Sequence, residues 1–194
     1  AIGLLRRVHG DVTLDLYGHI SDPVYWEQCQ TLAAQEPSLR MQYRGTVPHE
    51  EVVPRLRNYD LFVFPTLGEN FGHVILESLL AGCPVAVSTA TPWQDLEAAG
   101  AGWAIPLERE ADFLAAIQRV ADMGEEEHAR WREGARRAGL AALQNEQVVA
   151  DNRTLFETVL RGPAPGPNSL PADGPAPGQD HRIAKFVRYL SIYG

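Results

Sequence analysis

The feature that most restricts the fold of this chain is an alternation, from Val12 to Pro106, of short apolar runs with stretches of helical spacing. The runs read as strands at Val12 to Tyr17 (ending at Gly18), Leu39 to Tyr43 (ending at Gly45), Leu61 to Pro65, Val85 to Ser88 and Gly102 to Ile105. Helices are expected between them at Pro23 to Gln35, His49 to Asn58, Gly72 to Ala81 and Pro92 to Ala98. Strands that alternate with helices build a parallel sheet, because each crossover between parallel neighbours needs a connecting element long enough to span the sheet. The expected class is α/β, a parallel sheet flanked by helices.

Capping chemistry agrees with these limits. Asp22 before Pro23 is an N-cap followed by a proline in the first helical position, and Gly82 with Pro84 two residues on ends the third helix. Beyond Pro106 only helical patterns remain, at Glu110 to Met123, Glu126 to Leu143 and Gln147 to Leu160, with an apolar stripe of Phe113, Ile117 and Val120 to pack on the sheet. Residues 1–161 are therefore expected to form one domain. Residues 162–178 are dominated by Pro, Gly and Ala, which cannot bury a core, and read as a semi-rigid linker. In the tail, 179–194, Ile183, Phe186, Val187 and Leu190 fall on one helical face beside Arg182, Lys185 and Arg188. A basic amphipathic helix of this kind docks against a neighbouring domain or lies on a membrane surface.

Charge and cysteine content remove several function classes. With 17 basic against 25 acidic residues the net charge is -8, and clustered cations for a nucleic-acid backbone are lacking. Small molecules are the expected partners. There is no apolar run long enough to span a bilayer and no export signal at the N-terminus, so a cytoplasmic setting is expected. Cys29 and Cys83 stand far apart without His or Cys at ligand spacing, which argues for two buried thiols rather than a disulfide or zinc site.

The segment that carries chemistry runs from Pro65 to Glu77: a strand end, a loop with Gly68 and Gly72, and a helix start. Ligands of open α/β sheets bind at the carboxyl ends of the strands. The two glycines let backbone approach a ligand, and the amides of Phe71, Gly72, His73 and Val74 lie where helix donors are unpaired and attract phosphate. Glu77 lies one turn beyond His73, roughly 6 Å along the axis from that end, a distance that suits a ribose beside a pyrophosphate. Carboxylates pair with vicinal hydroxyls, so Glu69 and Glu77 on either side of a phosphate cradle describe a nucleotide-sugar. The plain alternative makes Glu69 a helix cap and Glu77 a solvated helical acid.

Glu69-Asn70-Phe71-Gly72 followed by Glu77 resembles the Glu-x7-Glu motif of the family 4 retaining glycosyltransferases, which have two Rossmann-like domains in the GT-B arrangement. Gly45-Thr46-Val47-Pro48 is similar to that family's loop before a short helix, Tyr59 to Pro65 to its central strand, and Leu79 to Ser88 to its helix-strand continuation. The likeness covers about Val12 to Leu143. It implies a Rossmann-like, donor-binding C-terminal half in which Glu69 contacts the transferred sugar and is the catalytic-site carboxylate. It implies that Glu77 binds the ribose, that Asn70, Phe71, Gly72, His73 and Val74 surround sugar and phosphates, and that Thr46 and Val47 lie near the base. It implies no cofactor and no metal. Thr91 to Leu96 also resembles family members, without an assignable role for Trp93, and His19 is a weaker candidate than His73.

The resemblance also sets expectations about what this stretch omits. The family's diphosphate-binding Arg and Lys precede the point where the chain begins, and Arg6 and Arg7 do not match them. The acceptor-binding N-terminal domain and the first strand of this half's own sheet would likewise lie upstream, which makes the chain a fragment expected to be inactive alone. Two other readings compete: a nucleotide-binding module without turnover, and a nucleotide-sugar epimerase or glycan phosphorylase of related architecture. A flavodoxin-like or receiver domain is set aside, because Gly18 to Asp22 has neither a glycine-rich loop nor the following acid.

Overall fold

The structure, a computed structural model, describes residues 7–9, 12–35 and 39–144. Among the described residues the elements follow in the order β1 (Val12–Tyr17), α1 (Pro23–Ala34), β2 (Leu39–Gly45), α2 (His49–Leu56), β3 (Phe62–Phe64), α3 (His73–Ala81), β4 (Val85–Ser88), β5 (Gly102–Ile105), α4 (Glu110–Asp122) and α5 (Glu125–Leu143), with strands and helices alternating as expected as far as β4. All the strand pairs are parallel. Among the described residues they form two sheets, β1 with β2 and β3-β4-β5, and no described strand joins β1 to β3. The expected helix at Gln147 to Leu160, the linker and the basic tail lie outside the described residues.

Local chemistry explains the elements that came out as expected. Asp22 holds an extended backbone and accepts the Tyr25 N–H at 3.1 Å, with Pro23 opening α1. Gly82 takes the left-handed conformation, φ 73°, and closes α3. Helix α2 is shorter than the expected His49 to Asn58. Pro54 lies within it and has no N–H for the ladder, and the helix ends at Leu56. Strand β3 is likewise shorter than Leu61 to Pro65, β2 runs on to Gly45, and α5 starts one residue early.

One expected helix is absent. Residues 92 to 95 form a bend and irregular chain and 96 to 98 a turn, with Thr91 and Trp93 committed to other partners. Thr91 donates its hydroxyl to the Ser88 carbonyl at 3.1 Å, and Trp93 sends its indole N–H to Phe71. Gly100 then turns the chain at φ 63° into β5.

Strand β4 is the best-covered strand. Val85 and Val87 on one face join Ile75 and Leu79 of α3 in the main core, while Ala86 on the other packs with Trp103, Phe113 and Trp131. The rings of Trp103 and Trp131 stack at 4.4 Å between centroids, with the Arg119 guanidinium over Trp131. Burial on both faces is what a central parallel strand requires. Cys83 sits fully inside this core, and burial pushes its thiol up to about 12. At pH 8 it should react with a disulfide reagent only when the chain is unfolded, a contrast that thiol titration with and without denaturant measures.

Candidate functional site

The loop from β3 to α3 is built by side chains that bond its backbone. Thr66, almost fully buried, donates its hydroxyl to the Gly68 carbonyl at 2.9 Å and accepts the Gly68 N–H at 3.2 Å. Ser88, at the end of β4, donates to the Thr66 carbonyl, and Glu69 donates its N–H to Ala90 at 3.1 Å. The ends of β3 and β4 therefore hold the loop from both sides. Gly72 ends it as the cap of α3 at φ 75°, ψ 59°. A Cβ there would stand 2.7 Å from the Ile75 Cδ1 and 3.2 Å from the Glu69 Cγ, so glycine is needed for both conformation and space.

Past this cap, the amides of His73 and Val74 open α3 and have no intrahelical acceptor, whereas Ile75 and Leu76 already bond the Gly72 carbonyl. Glu69 is half-buried and its Oε1 accepts the Asn70 N–H at 3.0 Å. Asn70 and His73 are exposed, Phe71 is half-buried and Val74 is buried. The Phe71 ring lies 4.8 Å from that of His73 and 6.2 Å from that of Trp93, centroid to centroid.

Glu77 is not the solvated acid of the plain reading. It is 8% exposed on a helix whose inner positions are Val74, Ile75, Leu76 and Leu79. A carboxylate in such surroundings needs a partner, and His49 Nδ1 stands 3.2 Å from its Oε1, an ion pair whenever the imidazole is protonated. That contact ties the first residue of α2 to α3. Val47 packs with Val52, Leu56 and Ala81, which sets Thr46 and Val47, on the β2-α2 loop, beside α3. The predicted residues thus fall into two loops joined through His49 and Glu77.

His49 and Thr66 escaped the sequence reading, which named Trp93 without a role. Trp93 donates its indole N–H to the Phe71 carbonyl at 2.7 Å and so fixes the loop just before its glycine. Only Thr66, two residues before a glycine, had a local signal, that of a hydroxyl turn. Replacing Trp93 by phenylalanine should keep most of the packing and lose this bond, destabilising the chain by about 1 kcal/mol. Thermal unfolding measures the loss, and amide exchange at Asn70 to His73 should quicken.

The arrangement offers backbone donors to an anion at one helix end, a buried carboxylate one turn inward and a second carboxylate across the glycine cap. Among the described residues no group of three or more His, Cys, Asp or Glu could hold a metal ion, and no helix is long and apolar enough to cross a membrane.

Comparison with solved structures gives similarity to a sucrose-phosphate synthase from Thermosynechococcus elongatus, at 22% identity and a TM-score of 0.57, over 81% of this chain and 41% of that one. A glycotransferase of kitacinnamycin is similar at 19% identity and a TM-score of 0.40, over 70% of this chain and 41% of that one. The chain thus spans well under half the length of either. A comparison with curated proteins returns no match. The family model for glycosyl transferases group 1 matches residues 1–123, more than half of the chain. With the α/β fold that it shares with the synthase, this chain belongs to the glycosyl transferases group 1 family.

Proposed function

We propose that the chain is the donor-binding half of an enzyme that transfers a sugar from a nucleoside-diphosphate sugar to an acceptor with retention of configuration. The observation that carries this is the buried Glu77 carboxylate, one helical turn from the amides of His73 and Val74 that open α3 without an intrahelical acceptor, and held by His49. The amides receive the diphosphate, Glu77 takes the ribose hydroxyls, and Glu69, across Gly72, takes hydroxyls of the sugar. Thr46 and Val47 face the base. In the transfer the bond from the anomeric carbon to the diphosphate oxygen breaks, the acceptor oxygen forms the new bond on the same face, and the acceptor's proton leaves with the departing diphosphate. Negative charge grows on the leaving oxygen, where fixed N–H dipoles at a helix start stabilise it more than they stabilise the bound donor. The acceptor's own contacts belong to a partner domain that forms the other wall of the cleft.

Titration calorimetry with UDP, GDP and ADP tests this reading. One nucleotide should bind better than the others, and its nucleoside, which has no diphosphate, should bind at least about tenfold more weakly, the loss of one or two charge-assisted hydrogen bonds. Equal affinity for nucleoside and diphosphate would count against a phosphate cradle at α3.

A further inference from the structure

Helix α2 is fixed at both ends. At its start Pro48, with φ -57° and ψ 143°, brings the chain in extended, and its carbonyl accepts the Glu51 N–H at 2.9 Å, so that His49 is the first helical residue. Along its length Val52 and Leu56 pack with Ala81, the last residue of α3. Past its end Arg132 of α5 donates to the carbonyls of Arg57 at 2.8 Å and Tyr59 at 2.9 Å. The backbone that carries His49 is thereby set against α3 by contacts with two helices.

The contact between His49 and Glu77 adds little to that packing. The His49 side chain is 75% exposed and that of Glu77 10%, and an ion pair with one member in water is screened and weak. What the contact determines is direction. A glutamate head turns about three side-chain bonds until a partner fixes it. His49 Nδ1, 3.2 Å from Oε1, is that partner: the Nδ1–H tautomer and the imidazolium both donate there, and the plane of the carboxylate follows. Each carboxylate oxygen offers two acceptor positions, so Oε1 serves His49 and a ligand hydroxyl together.

We propose that His49 is a positioning residue that sets the ribose selectivity of the site. It holds the Glu77 carboxylate at the angle that meets two vicinal hydroxyls, so that a ribonucleotide binds in preference to its 2′-deoxy counterpart. The inference rests on the donor-site reading, in which Glu77 takes the ribose. Without His49 the carboxylate turns more freely; it still meets one hydroxyl in many orientations, but two at once in only a few. A 2′-deoxy sugar offers a single hydroxyl there, and its affinity depends less on that angle. Loss of His49 therefore weakens the ribonucleotide more than its deoxy form, whereas a general loosening of α2 against α3 weakens both alike.

The test titrates the full 194-residue chain, as wild type, His49→Ala and His49→Asn, with UDP, GDP and ADP, each beside its 2′-deoxy form, and with inorganic pyrophosphate. In the wild type the preferred ribonucleotide should bind roughly tenfold better than its deoxy form, the weight of one hydrogen bond to a charged group. In His49→Ala that ratio should fall to about threefold or less, with pyrophosphate affinity within about twofold of the wild type. Asparagine places its Nδ2 where histidine has Nδ1, so His49→Asn should restore most of the ratio. Both variants should unfold within about 2 °C of the wild type, as exposed substitutions do. A wild-type ratio that persists in His49→Ala overturns the inference and leaves the donor-site reading standing. So does a ratio that falls equally in both variants, or a loss that extends equally to the deoxy form and to pyrophosphate. No preference for the ribonucleotide in the wild type overturns the inference and the ribose role of Glu77 together.

Discussion

Replacing Glu77 by alanine should weaken binding of the preferred nucleoside diphosphate by roughly 10- to 150-fold, the equivalent of about 1.5–3 kcal/mol for hydrogen bonds to a charged group. The carboxylate has two acceptor oxygens for two vicinal hydroxyls, so both contacts go with it. Stability should change far less. His49, a partner left behind, is exposed and is hydrated once the carboxylate is gone. Inorganic pyrophosphate separates the two roles, because the His73 and Val74 amides are untouched by the substitution and its affinity should stay within about twofold. Glu77→Gln keeps the volume and one acceptor and should fall between. Calorimetric titration of the three proteins with both ligands gives the comparison. Equal loss for pyrophosphate and nucleotide would mean that Glu77 supports α3 instead of reading a ribose.

The largest effect on folding is expected at Gly102. A Cβ there would lie 2.0 Å from the Val85 carbonyl oxygen and 2.8 Å from the Val85 nitrogen, and the backbone sits at φ 150°. Both atoms belong to β4, paired with β5 in the register Val85 to Gly102, at the centre of the core. Unlike a flexible side chain, this backbone cannot move aside without opening the ladder. Gly102→Ala should destabilise the chain by about 4 kcal/mol, a fall in Tm of roughly 8–16 °C for a domain of this size. Gly124, where a Cβ meets nothing within 4 Å, is the control, and its alanine variant should lose less than about 1 kcal/mol. Thermal unfolding followed by circular dichroism compares them.

Much of the fold is legible in the sequence because its signals are local. The Asp22-Pro23 start and the Gly82 stop were read from residue chemistry, and the structure forms both as read. Strand β4 was legible as a short apolar run closed on either side by turn residues. What could not be read depends on residues far apart in the chain. The segment from Pro92 to Ala98 has a plausible helical pattern, but Trp93 spends its N–H on a carbonyl 22 residues earlier, and that choice is made by tertiary packing. Helix α2 ends two residues early, after Pro54 has removed an N–H from its ladder.

The candidate site divides in the same way. Glu69, Gly72 and Glu77 are near one another in the chain, so spacing and helical rise describe their relation, whereas the left-handed cap at Gly72 gives a conformational reason for its glycine that the sequence reading puts down to ligand approach. Spacing could not tell whether Glu77 faced solvent or core, since that depends on what packs on α3. Nor could it supply His49, which comes from a different helix 28 residues earlier and meets Glu77 only after α2 and α3 have packed.

The donor site is tested most directly by where a nucleotide sits. Residue-resolved amide chemical shifts of the isotopically labelled chain, recorded with saturating nucleoside diphosphate, locate it. A nucleotide at this site should give the largest changes at Phe71 to Val74 and smaller ones at Thr46 to His49, and the latter group should be lost when pyrophosphate replaces the nucleotide. Saturable shifts confined to another surface, or none in a chain shown to be folded, would contradict it.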